Sequence, residues 1–194
     1  DTARLAHEAG IKNVMVSNGY ETDRALEMLA PFIDAMNIDL KAFTQAFYSR
    51  LCKADLNKVL ATIRKAHSLG IWLEITTLII PGQNDSDEEM TSIARFIASL
   101  SEDIPWHLSA FHPDHKMKDA AATPLATLRR AWDIGKNAGL RYIYIGNVRD
   151  DEHQRTQCPS CGKSVIERRG YDTTMKGFKD GRCACGQAIP GVWS

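Results

Sequence analysis

The chain has 194 residues, 44% of them hydrophobic, enough for the core of one ordinary domain with or without a small appendage. Its 24 basic and 24 acidic residues cancel, so no overall field attracts nucleic acid or an anionic membrane. No apolar run approaches the roughly 20 residues of a membrane span, and no secretory pattern opens the chain.

In chain order, Thr2–Gly10 reads as the end of a helix, with Ala3, Ala6 and Ala9 at helical spacing and Gly10 as its stop. Asp1 is not a start methionine, so the chain is expected to enter mid-way through a β/α unit and to be the later portion of a longer protein. Val14–Val16 predicts a strand that ends in Ser17-Asn18-Gly19. A helix pattern follows over Asp23–Ala30, with Pro31 after it.

The next strand, Asn37-Ile38-Asp39-Leu40-Lys41, points most directly to function. At a period of two, Asn37, Asp39 and Lys41 share one face while Ile38 and Leu40 share the other. Polar groups on one face of a buried strand are costly unless they bind something.

Asp55 is placed to cap a helix over Leu56–Leu69 that buries Val59, Leu60 and Ile63 and stops at Gly70. Ile71–Ile80 is the longest apolar run, closed by the turn Pro81-Gly82-Gln83-Asn84-Asp85. Ser86 or Asp87 then caps a helix carrying Ile93, Phe96 and Ile97. His107–Phe111 is another strand, Pro124–Ala138 a helix with Pro124 in its first turn, and Tyr142–Ile145 a last strand. Such alternation argues for parallel βα units. The glycine-rich phosphate fingerprint of a doubly wound sheet is missing, so residues 1–150 are expected to form part of a (β/α) barrel within the α/β class. Functional groups in such folds gather where strands end.

The character changes after Arg149. Residues 150–155 read as a polar linker, and residues 151–194 are too few for an independent apolar core. They carry Cys158-Pro159-Ser160-Cys161-Gly162 and Cys183-Ala184-Cys185-Gly186. Five cysteines, four of them in two tight pairs, read as metal ligation in a reducing compartment, the cytoplasm, rather than a disulfide frame. Cys158, Cys161, Cys183 and Cys185 would hold Zn²⁺ in a zinc-ribbon-like tail, the metal supplying folding energy that the tail lacks. The single intervening residue of the second pair makes Cys183 the weakest ligand, with His153 as a substitute. Cys52 stands alone and reads as a helix-side thiol.

Taken together, Val16–Tyr20, Asn37–Phe43, Leu78–Asp85 and Ala110–Pro113 resemble the later strands of radical S-adenosylmethionine (SAM) enzymes related to pyruvate formate-lyase activating enzyme. The tail Cys158–Trp193, ending in Ile189-Pro190-Gly191-Val192-Trp193, is similar to that of the AmmeMemoRadiSam-system members. The resemblance implies a [4Fe–4S] cluster that binds SAM and cleaves it reductively to a 5′-deoxyadenosyl radical. That radical abstracts hydrogen from a protein or small-molecule substrate, with flavodoxin or ferredoxin as electron donor. It also implies that Ser17 and Asn18 face the methionine or ribose part of SAM. Asp39 and Lys41 would orient SAM and substrate, and His112 would lie near the ribose.

The cluster's Cys-x3-Cys-x2-Cys motif and the glycine-rich segment for SAM's amino group are missing from this sequence, so the chain alone is expected to be inactive. Val16 also stands where activating enzymes often carry an acid.

Other readings remain open. Asp39 and Lys41 would equally form a buried structural ion pair. Lys41 at a strand end would suit a Schiff-base lyase. The tail would also serve as a non-catalytic interaction module. Glu74 and Thr76 share a face that would line the barrel, but neither they nor His107 and His115 are assigned a role.

Overall fold

The structure, a computed structural model, describes residues 1–170 and 172–193. Helix α1 (Thr2–Glu8) leads to β1 (Val14–Ser17), α2 (Asp23–Leu29) and β2 (Ala35–Asp39). A short α3 (Gln45–Phe47) runs into a π-helical turn at Tyr48–Cys52 and is followed by α4 (Leu56–Ser68) and β3 (Trp72–Ile79). Then come α5 (Asp87–Leu100), β4 (Trp106–Ala110), α6 (Leu125–Asn137) and β5 (Ile143–Gly146). The five strands form one sheet in the order β1-β2-β3-β4-β5, every pair parallel. This is the open, partial barrel expected from the alternation.

The caps act as the sequence indicates. Asp55 accepts from the Asn57 amide at 2.9 Å, and Gly70 ends the helix region with φ +75°. Of the two candidates before α5, Ser86 is the cap, accepting from the Glu89 amide. Asp87 lies in the first turn with Glu88 and Glu89, where the helix dipole favours negative charge. Pro124 stands just outside α6 rather than in its first turn, because its ψ of 143° is extended.

Strand alternation sorts the sheet into two faces. Ile38, Leu40, Ile75, Trp106 and Leu108 are fully buried against Val59, Ile63, Ile93, Ile97 and Leu128 of the helices, and this layer is the main core. Each such side chain contributes about 1.5–3 kcal/mol on burial. Helix α6 sits especially close: a Cβ on Gly135 would lie 2.6 Å from Ile143 Cδ1 and 3.0 Å from Trp106. The opposite face carries Val16, Asn37 and Glu74 at one level, and Asp39, Thr76, His107 and Tyr144 at the next.

Beyond β5 lie β6 (Thr156–Gln157), β7 (Ser164–Arg169) and β8 (Asp172–Met175), an antiparallel three-stranded sheet. The ribbon of β9 (Phe178–Lys179) and β10 (Arg182–Cys183) follows. Their small apolar cluster of Cys158, Val165, Ile166, Cys183 and Ile189 is completed by Tyr142 beside β5. The expected linker is ordered. Asp150 is buried between Arg129 and His153, and the His153 carbonyl accepts the Ile145 amide at 3.1 Å along the β5 edge. Among the described residues no helix is long and apolar enough to cross a membrane.

Candidate active-site cavity and metal centre

The strand ends at one edge of the sheet hold the residues singled out from sequence. Ser17 closes β1; its hydroxyl pairs with the Glu21 carboxylate and accepts the Gly19 amide at 2.9 Å. Asn18 Oδ1 accepts the Tyr20 amide at 3.2 Å. The turn needs its glycine: Gly19 has φ +75°, and a Cβ there would lie 2.8 Å from Val59 Cγ1.

Next door, Lys41 Nζ donates to Asp39 Oδ2 at 2.5 Å, the two side chains remaining 36% and 33% exposed. That exposure sets the pair at a rim rather than in the core, which counts against a purely buried ion pair. It also engages the Lys41 ammonium as a donor, a poor arrangement for an amine nucleophile. Below it, the Lys41 amide donates to Tyr48 Oη at 3.1 Å, and burial pushes the Tyr48 phenol up to about 12.

His112 lies past the end of β4, exposed, with Nε2 2.9 Å from the Asn147 carbonyl. The structure joins Asp39 directly to Lys41. It leaves Ser17, Asn18 and His112 in separate local contacts along the same edge.

A cavity of about 1130 Å³ opens between the inner sheet face and the tail. Inside it Thr76 donates to Asn37 Oδ1 at 2.8 Å, and Glu74 Oε2 lies 2.7 Å from His107 Nε2. The His107 bond holds the Glu74 carboxyl below its ordinary value, against burial, which raises it. The His107 ring stacks at 5.3 Å on Tyr144. Tyr144 Oη meets Thr156 Oγ1 at 2.8 Å, and the guanidinium of Arg168 covers its ring at 5.1 Å. Alternation along β3 made Glu74 and Thr76 visible as lining. The partnership of Glu74 with His107 crosses strands, and the approach of Arg168 from the tail carries no local sequence signal.

The four tail sulfurs lie within 4.8 Å of one another, with Cys158–Cys185 at 3.6 Å and Cys161–Cys183 at 3.7 Å. One metal with M–S bonds of about 2.3 Å in a tetrahedron sets its sulfurs about 3.8 Å apart, so the donor set fits a single ion. Burial would raise the Cys158 thiol, but the amides of Cys161 and Ser160 outweigh it and bring it down to about 7. Gly162 and Gly186 turn the knuckles, donating to the carbonyls of Cys158 and Cys183 at 2.9 and 2.8 Å. Cys183 is buried among the four rather than peripheral. His153 is not a substitute ligand, because the convergent donor group consists of the four sulfurs without it. A [4Fe–4S] cluster in the barrel is another matter: Cys52 is the one thiol outside the tail, so the residues of this chain do not fit that group.

Residues 1–94, which contribute the Ser17, Asp39–Lys41 and Glu74 positions, match the family model of the Radical SAM superfamily. Over this stretch, just under half of the chain, the sequence is similar to that superfamily. An uncharacterized protein of Methanocaldococcus jannaschii is 42% identical over 193 residues, covering 97% of this chain and 57% of the relative. The chain therefore spans little more than half the length of that relative.

Among solved structures, this chain superposes on a domain of pyruvate-formate lyase-activating enzyme from Bacteroides vulgatus with a TM-score of 0.68. That match has 18% identity and covers 76% of this chain and 88% of the other. A radical SAM methyltransferase from Sphaerobacter thermophilus gives 0.61 at 19% identity, covering 83% of this chain and 48% of the other. Streptococcus suis SuiB bound to S-adenosylmethionine gives 0.61 at 13% identity, covering 76% and 36%. At these identities the likeness is one of fold.

Proposed function

We propose that this chain is the later part of a longer radical SAM enzyme, with residues 1–150 supplying one side of the active-site barrel and 151–194 a metal-bearing tail. The carrying observation is the row of polar strand ends on the inner face and edge of a radical SAM sheet: Ser17, Asn18, Asp39, Lys41 and His112. The cluster would be held by residues outside this chain and, with SAM bound, would supply the radical chemistry for hydrogen abstraction.

The work of the residues present is to bind and orient. Asp39 offers a carboxylate to the cationic side of a zwitterionic ligand, and Lys41 an ammonium to its carboxylate or to the substrate. Each then exchanges its present partner for the ligand's. Fixed groups of both signs at the cavity rim orient such a ligand with little reorganisation. Ser17, Asn18 and His112 lie along the same edge, as contacts for the ribose and methionine portions. The tail sequence through Ile189-Pro190-Gly191-Val192-Trp193 supports an AmmeMemoRadiSam-type assignment, and the sulfur spacing supports Zn²⁺. The free thiols fit a reducing compartment, which we take to be the cytoplasm, with a flavodoxin- or ferredoxin-type donor.

The test is made on the full-length protein. Reconstituted with iron and sulfide and reduced with dithionite, it should release 5′-deoxyadenosine from SAM. Asp39→Ala should weaken SAM binding by about tenfold or more, the equivalent of about 1.4 kcal/mol. A cluster-loaded protein that binds SAM no better than its Asp39→Ala variant and forms no 5′-deoxyadenosine would overturn the reading.

A further inference from the structure

The tail does more than hang from the barrel. Ile166, Arg168, Met175 and Trp193 line the same cavity as Glu74 and His107. A separable appendage, as the sequence suggests, would not share its walls.

Arg168 is the point of contact. Its Nη1 donates to the Gln154 carbonyl and to Thr156 Oγ1, each at 3.0 Å, and its guanidinium lies over Tyr144. Thr156 also meets Tyr144 Oη, and it stands two residues before the ligand-set member Cys158. It pairs with Ile166 of β7, two residues before Arg168. A continuous path therefore runs from the sulfur cluster through Thr156 to Arg168, Tyr144, His107 and Glu74. The tail has little else to hold it: its apolar cluster is small and includes a residue from beside β5.

We propose that Arg168 is a positioning residue of the barrel cavity, presented by the metal-held tail, so that the thiolate centre and the Glu74–His107 pair form one coupled unit. The metal half of this inference rests on the reading of the four cysteines as a metal site. Arg168 confines the Tyr144 ring, and Tyr144 in turn backs His107 against Glu74. The groups facing the pair are Tyr144 of β5, Arg168 of β7 and, on the same sheet face, Asn37 and Asp39 of β2. The His107 bond does most to hold the Glu74 carboxyl low, followed by the His107 charge and a Trp72 bond, and the charge of Arg168 adds the smallest of these influences. Losing the tail metal would release β6 and β7 and with them the side of the cavity floor.

The experiment uses the full chain with isotope labels, its metal content measured first. Two signals are followed by NMR: the titration of the Glu74 side-chain carboxyl and hydrogen exchange of the Ile145 amide. Arg168→Gln should raise the Glu74 midpoint, and Arg168→Lys, which keeps the charge, should return it most of the way. A fold defect alone would not be rescued by charge. Chelating the metal from wild-type protein should move Glu74 in the same direction and speed Ile145 exchange by about tenfold or more.

An unchanged Glu74 midpoint in Arg168→Gln overturns the positioning role. Metal loss that melts tail amides while leaving Ile145 protected overturns the coupling. If reduced protein holds no metal, the metal reading and the coupling fail together, and the two Arg168 variants still decide the positioning role.

Discussion

Asn84 ties the end of β2 to the end of β3. Its Nδ2 donates to the carbonyls of Lys41 and Leu78 at 2.6 and 2.9 Å, and its Oδ1 accepts the Ile80 amide at 2.7 Å. Two other side chains repeat the device. Thr123 Oγ1 donates to the Ile79 carbonyl at 2.6 Å and accepts the Phe111 amide at 2.8 Å, joining β3 to β4. Asn147 Nδ2 donates to the Ala110 carbonyl at 2.7 Å, joining β5 to β4. The edge that carries Lys41 and His112 is thus cross-linked strand to strand, which gives a ligand site a rigid base.

Replacing Asn84 should therefore cost stability out of proportion to its size. Asn84→Leu strands two carbonyls and an amide in a buried place, and we expect a loss of about 2–4 kcal/mol by urea denaturation. Metal content should be unchanged. A loss under about half a kcal/mol would mean that water or a shifted loop replaces all three bonds.

The tail should bind about one zinc per chain and release it on acidification. Thiolates are the ligands, so protons compete with the metal for the sulfurs and occupancy falls as pH falls. A chromophoric chelator reads the release directly. Cys158→Ser should abolish stoichiometric binding at neutral pH, and iron in place of zinc in anaerobically purified protein would refute the metal assignment.

Much of this architecture is legible in the sequence because it is written locally. Period-two alternation in Asn37–Lys41 separates the buried Ile38 and Leu40 from the cavity-facing Asp39, and Asp55 and Ser86 cap as their positions indicate. The four cysteines converge because their spacing already describes two knuckles. What remained hidden is set by register and by distant packing. Glu74 meets His107 across strands, 33 residues away, and Arg168 reaches Tyr144 from another sheet. Asn84 reads as a plain turn residue until β2 is set beside β3. The run 150–155 has a linker's composition, yet it is ordered by the buried Asp150 and the open edge of β5.

Strand β1 is the sheet's other edge, and its inward side chains Val14 and Val16 are 64% and 78% exposed. An unpaired parallel edge beside apolar side chains is a template for association. The chain studied alone should self-associate in the micromolar range, and Val16→Lys should shift sedimentation toward monomer. A sharp monomeric boundary for wild type at high concentration would count against this.

The Glu74–His107 pair should leave its mark on the acid limb of the stability curve. The folded-state carboxyl of Glu74 lies below its ordinary value of 4.5, chiefly because His107 binds it, with burial working the other way. A depressed folded value means stability that is fully present above about pH 4.5 and is lost as pH falls through the lower folded value. Glu74→Gln keeps the shape and a hydrogen bond to His107 but removes the titration. Wild type should melt higher than the variant at neutral pH, and the difference should shrink steadily as the solution is acidified below 4.5. The side chain is 37% exposed, so solvent screening keeps the gap small, and melting temperatures compared pH by pH are the right measure. A gap that stays constant from neutral to acid pH would show that Glu74 contributes shape rather than charge.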